Sequence, residues 1–392
     1  MNEPQLSKDE LLKNGLYLME LLRSALRGQP PSPKPEDVSW AHVFALAKRH
    51  RVEGLSAYGM ERLSAMPPES IRSRWLAERE LIVYRSVRYA LERENLLQAL
   101  KEAGLRCLPL KGILLAEYYP QAGMRAMTDN DILYAGQDGV SEQEAYEILA
   151  RVMTQCGFQL HGSNGVHNVY VKSPFFNFEM HRQLFSESSP LGSHIRDPWA
   201  YASEDETGVY RFSPEVEFIY IMAHAYKHFS NAGHGIRLLA DVHVFLKHAG
   251  DALDMAYIFK AFRTLGMEDF AQRVITCARE VFDSPDMALS DDSLALLEYL
   301  LSSGLFGTYT HMIENRARKR GVIGEINLRR EGLRFLFERV FPSKSFWHTR
   351  YPITRGRPWL YPLCWIHRLI KKLTTGRKHT FHALRSIFKT RQ

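Results

Sequence analysis

The chain has 392 residues, 45% hydrophobic and 24% charged, which bounds it as a soluble globular protein of two or three domains. Its net charge of +7 hides an asymmetry: from Phe341 to the end there are 12 Lys and Arg and no Asp or Glu, leaving 39 basic and 44 acidic residues in the body. The four cysteines (Cys107, Cys156, Cys277, Cys364) are too far apart for a CxxC zinc site or a disulfide framework, and the polar start and the absence of an 18-residue apolar run argue against a signal peptide and a membrane span. The reading is of a cytoplasmic protein with reduced thiols.

Residues 7–27 read as a helix, with Leu11, Leu12, Leu16, Met19, Leu22 and Leu26 at helical spacing. After the break "RGQPPSPKP", Ser39 or Asp37 can cap a second helix, and a long helical pattern runs from about Glu69 to Ala103 before Gly104. The character changes at Leu105. "LRCLPL" reads as a buried strand that Pro109 confines to an edge or a strand end. "GILLAEYY" follows as a short helix from Gly112, and "NDILYA" as a second strand. Ser141 and Glu144 form a capping box for a helix reaching about Cys156. "NVYVKS" and "FNFEMHR" read as two strands joined at Ser173-Pro174. Pro214, capped by Ser213, opens a return to helices. The domains expected are a helical region 1–104, an α/β core 105–212, a second helical region 213–340 and a basic aromatic tail 341–392.

The chemistry concentrates in the core. Asp129 and Asp131 stand two apart at a strand entry and so share a face. Two carboxylates that close raise each other's pKa unless a cation intervenes, and Mg²⁺ suits such a pair together with substrate phosphates. Glu179 is a third candidate. Asn177, Glu179 and His181 fall on one face of their strand, and Phe176, Phe178 and Met180 on the other. Three converging carboxylates can hold two metal ions for an in-line phosphoryl displacement, although D-x-D alone is common in solvated loops. Lys111-Gly112, at a strand-to-helix junction, and Arg125 are candidate phosphate contacts; taken singly, such cations are more often surface residues.

Taken together, the stretches "ALKEAGLRCLPLKGILLAEYYPQAGMRAMTDNDILYAG", "FEMHRQLF" and "AHAYKHFSNAGHGIRLLADVHVFL" resemble the uncharacterised nucleotidyltransferase family of the DNA polymerase beta-like superfamily, over about residues 40–250. The resemblance implies an α+β fold: a small mixed-sheet core flanked by N- and C-terminal helical regions. It implies two Mg²⁺ ions and an NTP, with Asp129, Asp131 and Glu179 as metal ligands and Glu179 helping to deprotonate an acceptor hydroxyl. Lys111-Gly112 stands where better-known members carry Gly-Ser, and Glu179 where Asp is common. The acceptor expected is a small molecule, peptide or glycan precursor; the acidic body offers no broad basic groove for nucleic acid. A second class of reading is a non-catalytic nucleotide-binding or antitoxin-like module that keeps the fold.

Three readings stand for the helical histidines. His224 and His228 share a helix face beside Lys227, with His234, Arg237 and Asp241 following. They form a polar wall toward the NTP together with His181, or are satisfied core histidines with a structural Asp241, or bind zinc with a third ligand. The tail interleaves Trp359, Trp365, Leu369, Ile370 and Phe381 with basic residues. Such a segment lies on an anionic membrane surface, binds nucleic acid, or packs on the body with its basic stems over apolar surface.

Overall fold

The computed structural model describes residues 6–186, 192, 194–305, 307–319, 331, 332, 334, 335, 337, 338 and 340–375. The chain divides into two compact units, one of Met1–Tyr226 with Gly235–Leu305 and one of Lys227–His234 with Phe306–Gln392.

The first unit opens with helices α1 (Lys8–Arg27), α2 (Trp40–His50), α3 (Glu53–Met60) and α4 (Glu69–Glu102). Ser7 caps α1 through a capping box with Glu10; of the face read from the sequence, Met19, Leu22 and Leu26 are buried and Leu11, Leu12 and Leu16 half-buried, with Leu18 and Leu21 enclosed beside them. Trp75 of α4 is also fully buried, and its indole N–H donates to the Glu53 carbonyl and the Ser56 hydroxyl at 3.1 Å each. Burying an aromatic of this size without orphaning its N–H fixes α4 against α3.

The chain then builds a five-stranded mixed sheet, and the protein is α+β as its sequence predicts. The strands are β1 (Leu105–Pro109), β2 (Asn130–Gly136), β3 (Gln159–Ser163), β4 (His167–Lys172) and β5 (Phe176–His181), in the order β1-β2-β5-β4-β3. Helix α5 (Gly112–Tyr118) follows β1, and α6 (Glu142–Gln155), capped by the Ser141–Glu144 box, follows β2. β1 is an edge strand ending at Pro109, where a missing N–H costs least. Among the described strands, only β2 and β5 run parallel. Phe176, Phe178 and Met180 of β5, with Ile132 and Tyr134 of β2, pack under Tyr89, Leu96 and Leu100 of α4 and Leu149, Val152 and Met153 of α6. Each such side chain contributes about 1.5–3 kcal/mol by leaving water. The pleat turns Asp131, Glu179 and His181 to the opposite face.

A hairpin of β6 (Ala202–Glu204) and β7 (Tyr210–Phe212) leads into α7 (Pro214–Phe229) and α8 (Arg237–Ala249). The unit ends in α9 (Met255–Thr264), α10 (Glu268–Phe282) and α11 (Asp291–Ser303). Gly15 of α1 lets Leu301 of α11 approach so closely that an added Cβ would lie 2.3 Å from its Cδ1. The N-terminal helix therefore closes against the last helices of the same unit.

In the second unit, the described helices include α12 (Tyr309–Lys319), α13 (Lys344–Arg350) and α14 (Tyr361–Thr375). Asn315 donates to the Phe229 carbonyl at 3.0 Å, and the Thr308 N–H to the Ala232 carbonyl at 2.8 Å. The Trp365 indole of α14 donates to the Val340 carbonyl at 2.7 Å and stacks on Phe341. The opposite side of α14 is exposed, with Leu363, Ile366 and Ile370 in one stripe. Phe381 and the basic residues around it lie outside the described residues, as does the environment of the Leu369 side chain. No helix of the described residues is long and apolar enough to cross a membrane.

Candidate active site

The site is assembled by register. On parallel neighbours β2 and β5, Asp131 faces Glu179 and Leu133 faces His181. On antiparallel β4, His167 faces His181 and Val169 faces Glu179. Three strands thus bring Asp131, Glu179, His181 and His167 to one patch of the sheet's open face.

The contacts are short. Asp131 Oδ1 lies 2.7 Å from His181 Nε2 and 3.1 Å from Lys111 Nζ. His167 Nε2 is 3.3 Å and His181 Nε2 is 3.8 Å from Glu179 Oε2. Burial works against the Asp131 charge, yet the Lys111 ammonium and the His181 hydrogen bond hold its carboxyl well below the usual carboxylate range. Burial likewise works against the Lys111 ammonium, but Asp131 keeps it above the ordinary lysine value. Asp129 is pushed up by burial and by the charge of Asp131. The two aspartates are therefore inequivalent: one is a fixed anion and the other is short of positive charge.

Lys111 is held at φ 45°, in the left-handed region that lysine rarely adopts, immediately before α5. Gly112 follows for a steric reason. An added Cβ would lie 2.8 Å from Arg125 Nη1, and that guanidinium has no room to retreat. Its Nε and Nη2 donate to Asp241 Oδ1 and Oδ2 at 2.7 and 3.0 Å, and Nη1 donates to the Gly112 carbonyl at 3.2 Å. Tyr119 donates to Asp241 at 2.9 Å, and Arg237 lies 3.8 Å from its other oxygen. Burial opposes the Asp241 charge, but Arg125 holds its carboxyl below the usual range. Arg125 and Asp241, both expected beside a nucleotide, are joined to each other, under the loop that carries Lys111.

Helix α7 brings two further groups. Tyr220 is fully buried with its ring 6.0 Å from Lys111 Nζ, and His224, one turn on, adds to the positive field at Asp131. Lys227 and His228 occupy the last turn of α7, in the second unit, where the His228 ring lies 6.3 Å from that of His234. Among the described residues, the one group of three or more ligand-type side chains whose atoms lie within 4.8 Å of one another is His167, Glu179 and His181. It does not include the His224–His228 pair of the zinc reading. His167 and Tyr220 escaped sequence reading. His167 shares the alternation of "HNVYVK", and Tyr220 precedes His224 by four residues, so face arithmetic could have found both.

A buried carboxyl stands apart from this cluster. Glu217 of α7 accepts from the Tyr118 hydroxyl at 3.0 Å, and burial raises its pKa to about 7. A raised folded pKa contributes stability below the unfolded value near 4.3 that is lost as pH rises toward 7. Glu217→Gln is expected to raise the melting temperature at pH 8, an effect of about 3 kcal/mol, and to change little at pH 4. Melting curves of both proteins at the two pH values check this; an unchanged or lowered melting temperature at pH 8 rules it out.

The model of a family described as "Uncharacterised nucleotidyltransferase" matches residues 36–283. The chain belongs to this family. The match takes in α2 through α4, the whole sheet, Asp241 and α7 through α10. No curated protein and no solved structure matches the chain.

Proposed function

We propose that the protein is a Mg²⁺-dependent nucleotidyltransferase, moving a nucleotidyl group from an NTP to a hydroxyl of a small molecule, peptide or glycan precursor. The observation that carries this is the register of Asp131 against Glu179 on parallel neighbours, with Asp129 two residues before and Lys111 at contact distance. The donor set fits a hard dication, because three carboxylates serve one face and Asp129 is left short of positive charge. Asp129, Asp131 and Glu179 would hold two such ions, which when bound supply charge neutralisation and alignment for an in-line displacement.

The chain's own groups do the rest. Lys111 offers an ammonium to the phosphates, and Gly112 makes room for the Arg125 guanidinium that holds the loop. Glu179 takes the proton of the acceptor hydroxyl as its oxygen bonds to the α-phosphorus and the bond to pyrophosphate breaks. His181 steers Asp131. Tyr220 and His224 wall the sheet face. Arg125 and Asp241 fix the Lys111-Gly112 loop rather than touching the reacting atoms.

Titration calorimetry with each NTP, with Mg²⁺ and with EDTA, tests this reading. Metal-dependent binding of an NTP is expected. Equal affinity in EDTA would favour the nucleotide-binding module without catalysis, and no binding of any NTP would sink both.

The C-terminal residues support a peripheral site on an anionic membrane surface, which would put the protein at the inner face of the cell membrane. Eight of the sixteen large apolar side chains exposed among the described residues fall between Phe337 and Ile370, including Trp359, Leu363, Ile366 and Ile370. They lie in a segment with no acidic residue after Phe341. Apolar burial and about 1 kcal/mol per basic residue near anionic lipid act together there. The full chain is expected to sediment with phosphatidylserine vesicles, to release as salt rises, and to release when Ile366 and Ile370 become Glu. Equal sedimentation with uncharged vesicles, or none with either, would end this assignment.

A further inference from the structure

We propose that His167, Glu179 and His181 form a site for a divalent first-row transition metal, Mn²⁺ or Zn²⁺, in preference to Mg²⁺. It rests on the proposed function only in sharing Glu179; the ion would bind whether or not transfer takes place.

The argument starts from strand geometry. Positions two apart on β5 put Glu179 and His181 on one face, and antiparallel pairing sets His167 directly opposite His181. The two imidazole rings lie 4.7 Å apart at an interplanar angle of 43°, which is not a stacked pair. Both Nε2 atoms turn toward Glu179 Oε2, at 3.3 and 3.8 Å. Ligands at 2.0–2.2 Å around a tetrahedral zinc are separated by about 3.4 Å from one another, so these separations already approach those of a bound ion. Asp131 Oδ1 lies 2.7 Å from the same His181 Nε2, so with an ion on that nitrogen it is placed to supply a fourth ligand.

The donor set decides the metal. Two imidazole nitrogens and one carboxylate suit Zn²⁺, Mn²⁺ and their neighbours. Mg²⁺ takes oxygen ligands and dehydrates reluctantly, and first-row affinities rise from Mn²⁺ toward Cu²⁺ at nitrogen sites. The cluster is also built for access: His167 and Glu179 keep 21% and 22% of their side-chain surface exposed, whereas His181 is buried beneath them. An ion would enter from solvent onto a fixed inner ligand.

The test uses the full-length, metal-stripped protein without nucleotide. Zn²⁺ and Mg²⁺ are titrated by calorimetry, and Mn²⁺ by loss of the free-ion electron paramagnetic resonance signal. One Zn²⁺ or Mn²⁺ per chain is expected, at least a hundredfold tighter than Mg²⁺, and weakened tenfold or more by His167→Gln with unchanged circular dichroism. Wild-type selectivity is read without any variant, so a misfolded His167→Gln leaves the comparison intact. Zn²⁺ and Mn²⁺ binding no tighter than Mg²⁺ overturns the proposal, as does tight binding that survives in folded His167→Gln. Failure here with Mg²⁺-dependent NTP binding intact removes this site alone. Stoichiometric Zn²⁺ with no NTP binding removes the nucleotidyltransferase reading alone.

Discussion

Asp129→Asn is expected to lower nucleotidyl transfer by on the order of 10²–10³ or more, the scale on which removing one preorganised electrostatic group acts. Its stability should hardly move. The carboxyl it replaces is pushed up by burial and by Asp131, so the neutral amide relieves a repulsion. The Thr128 hydroxyl, which donates to Asp129 Oδ1 at 3.1 Å, keeps an acceptor. The combination is diagnostic: a variant that melts like the wild type but does not transfer separates chemistry from folding. Pyrophosphate release, once an acceptor is in hand, and a melting curve measure the two quantities. Transfer near the wild-type rate would end the metal-ligand role of Asp129.

Asp241→Ala should do the opposite and act on the fold. Asp241 accepts two hydrogen bonds from Arg125 and one from Tyr119, and it neighbours Arg237, all within the first unit. Removing one partner of a buried pair leaves an uncompensated charge, at a cost of about 3–5 kcal/mol. Two guanidinium groups are left here, so the upper end of that range is expected. Tyr119→Phe removes one neutral donor and should cost about 1 kcal/mol. Because the Asp241 carboxyl is depressed in the fold, its contribution is present above the unfolded value near 3.9 and is lost as pH falls through the folded one. Chemical unfolding of the variants at pH 7 reads these differences; a loss below 1 kcal/mol for Asp241→Ala would show that the cluster is not holding the loop.

The contrast between these residues shows what a sequence carries. The phenylalanines of "FNFEMHR" announce their own burial through a period of two, and that alternation sends Glu179 and His181 to the other side. Ser141 and Glu144 announce a helix start within four residues. Arg125 and Asp241 are 116 residues apart and have no local pattern linking them, so their pairing leaves no mark in the sequence. Elements without periodic contrast were also missed. β3 is mostly exposed along its whole length, its one large apolar residue Leu160 included. α3 is eight residues with Gly54 and Gly59, each pressed against a backbone carbonyl, of Gly123 and Leu21. Such close approaches are set by partners far along the chain and leave only the glycine behind as a sign. His167 lies just before the run "NVYVKS", and its weight comes from being cross-strand from His181, which no local pattern shows.

The strand order has a temporal consequence. β2 and β5 are neighbours in space, but α6, β3 and β4 intervene in the chain, so Asp131 meets Glu179 only after that whole segment has folded back as a unit. Long-range parallel pairing pays its loop-closure entropy before any contact rewards it, which makes it a late event. During synthesis, a chain that has emerged only through β4 holds both aspartates but neither Glu179 nor His181. It therefore lacks the parallel pair, and the acidic face stays unassembled until the final strand of the sheet slides in between β2 and β4.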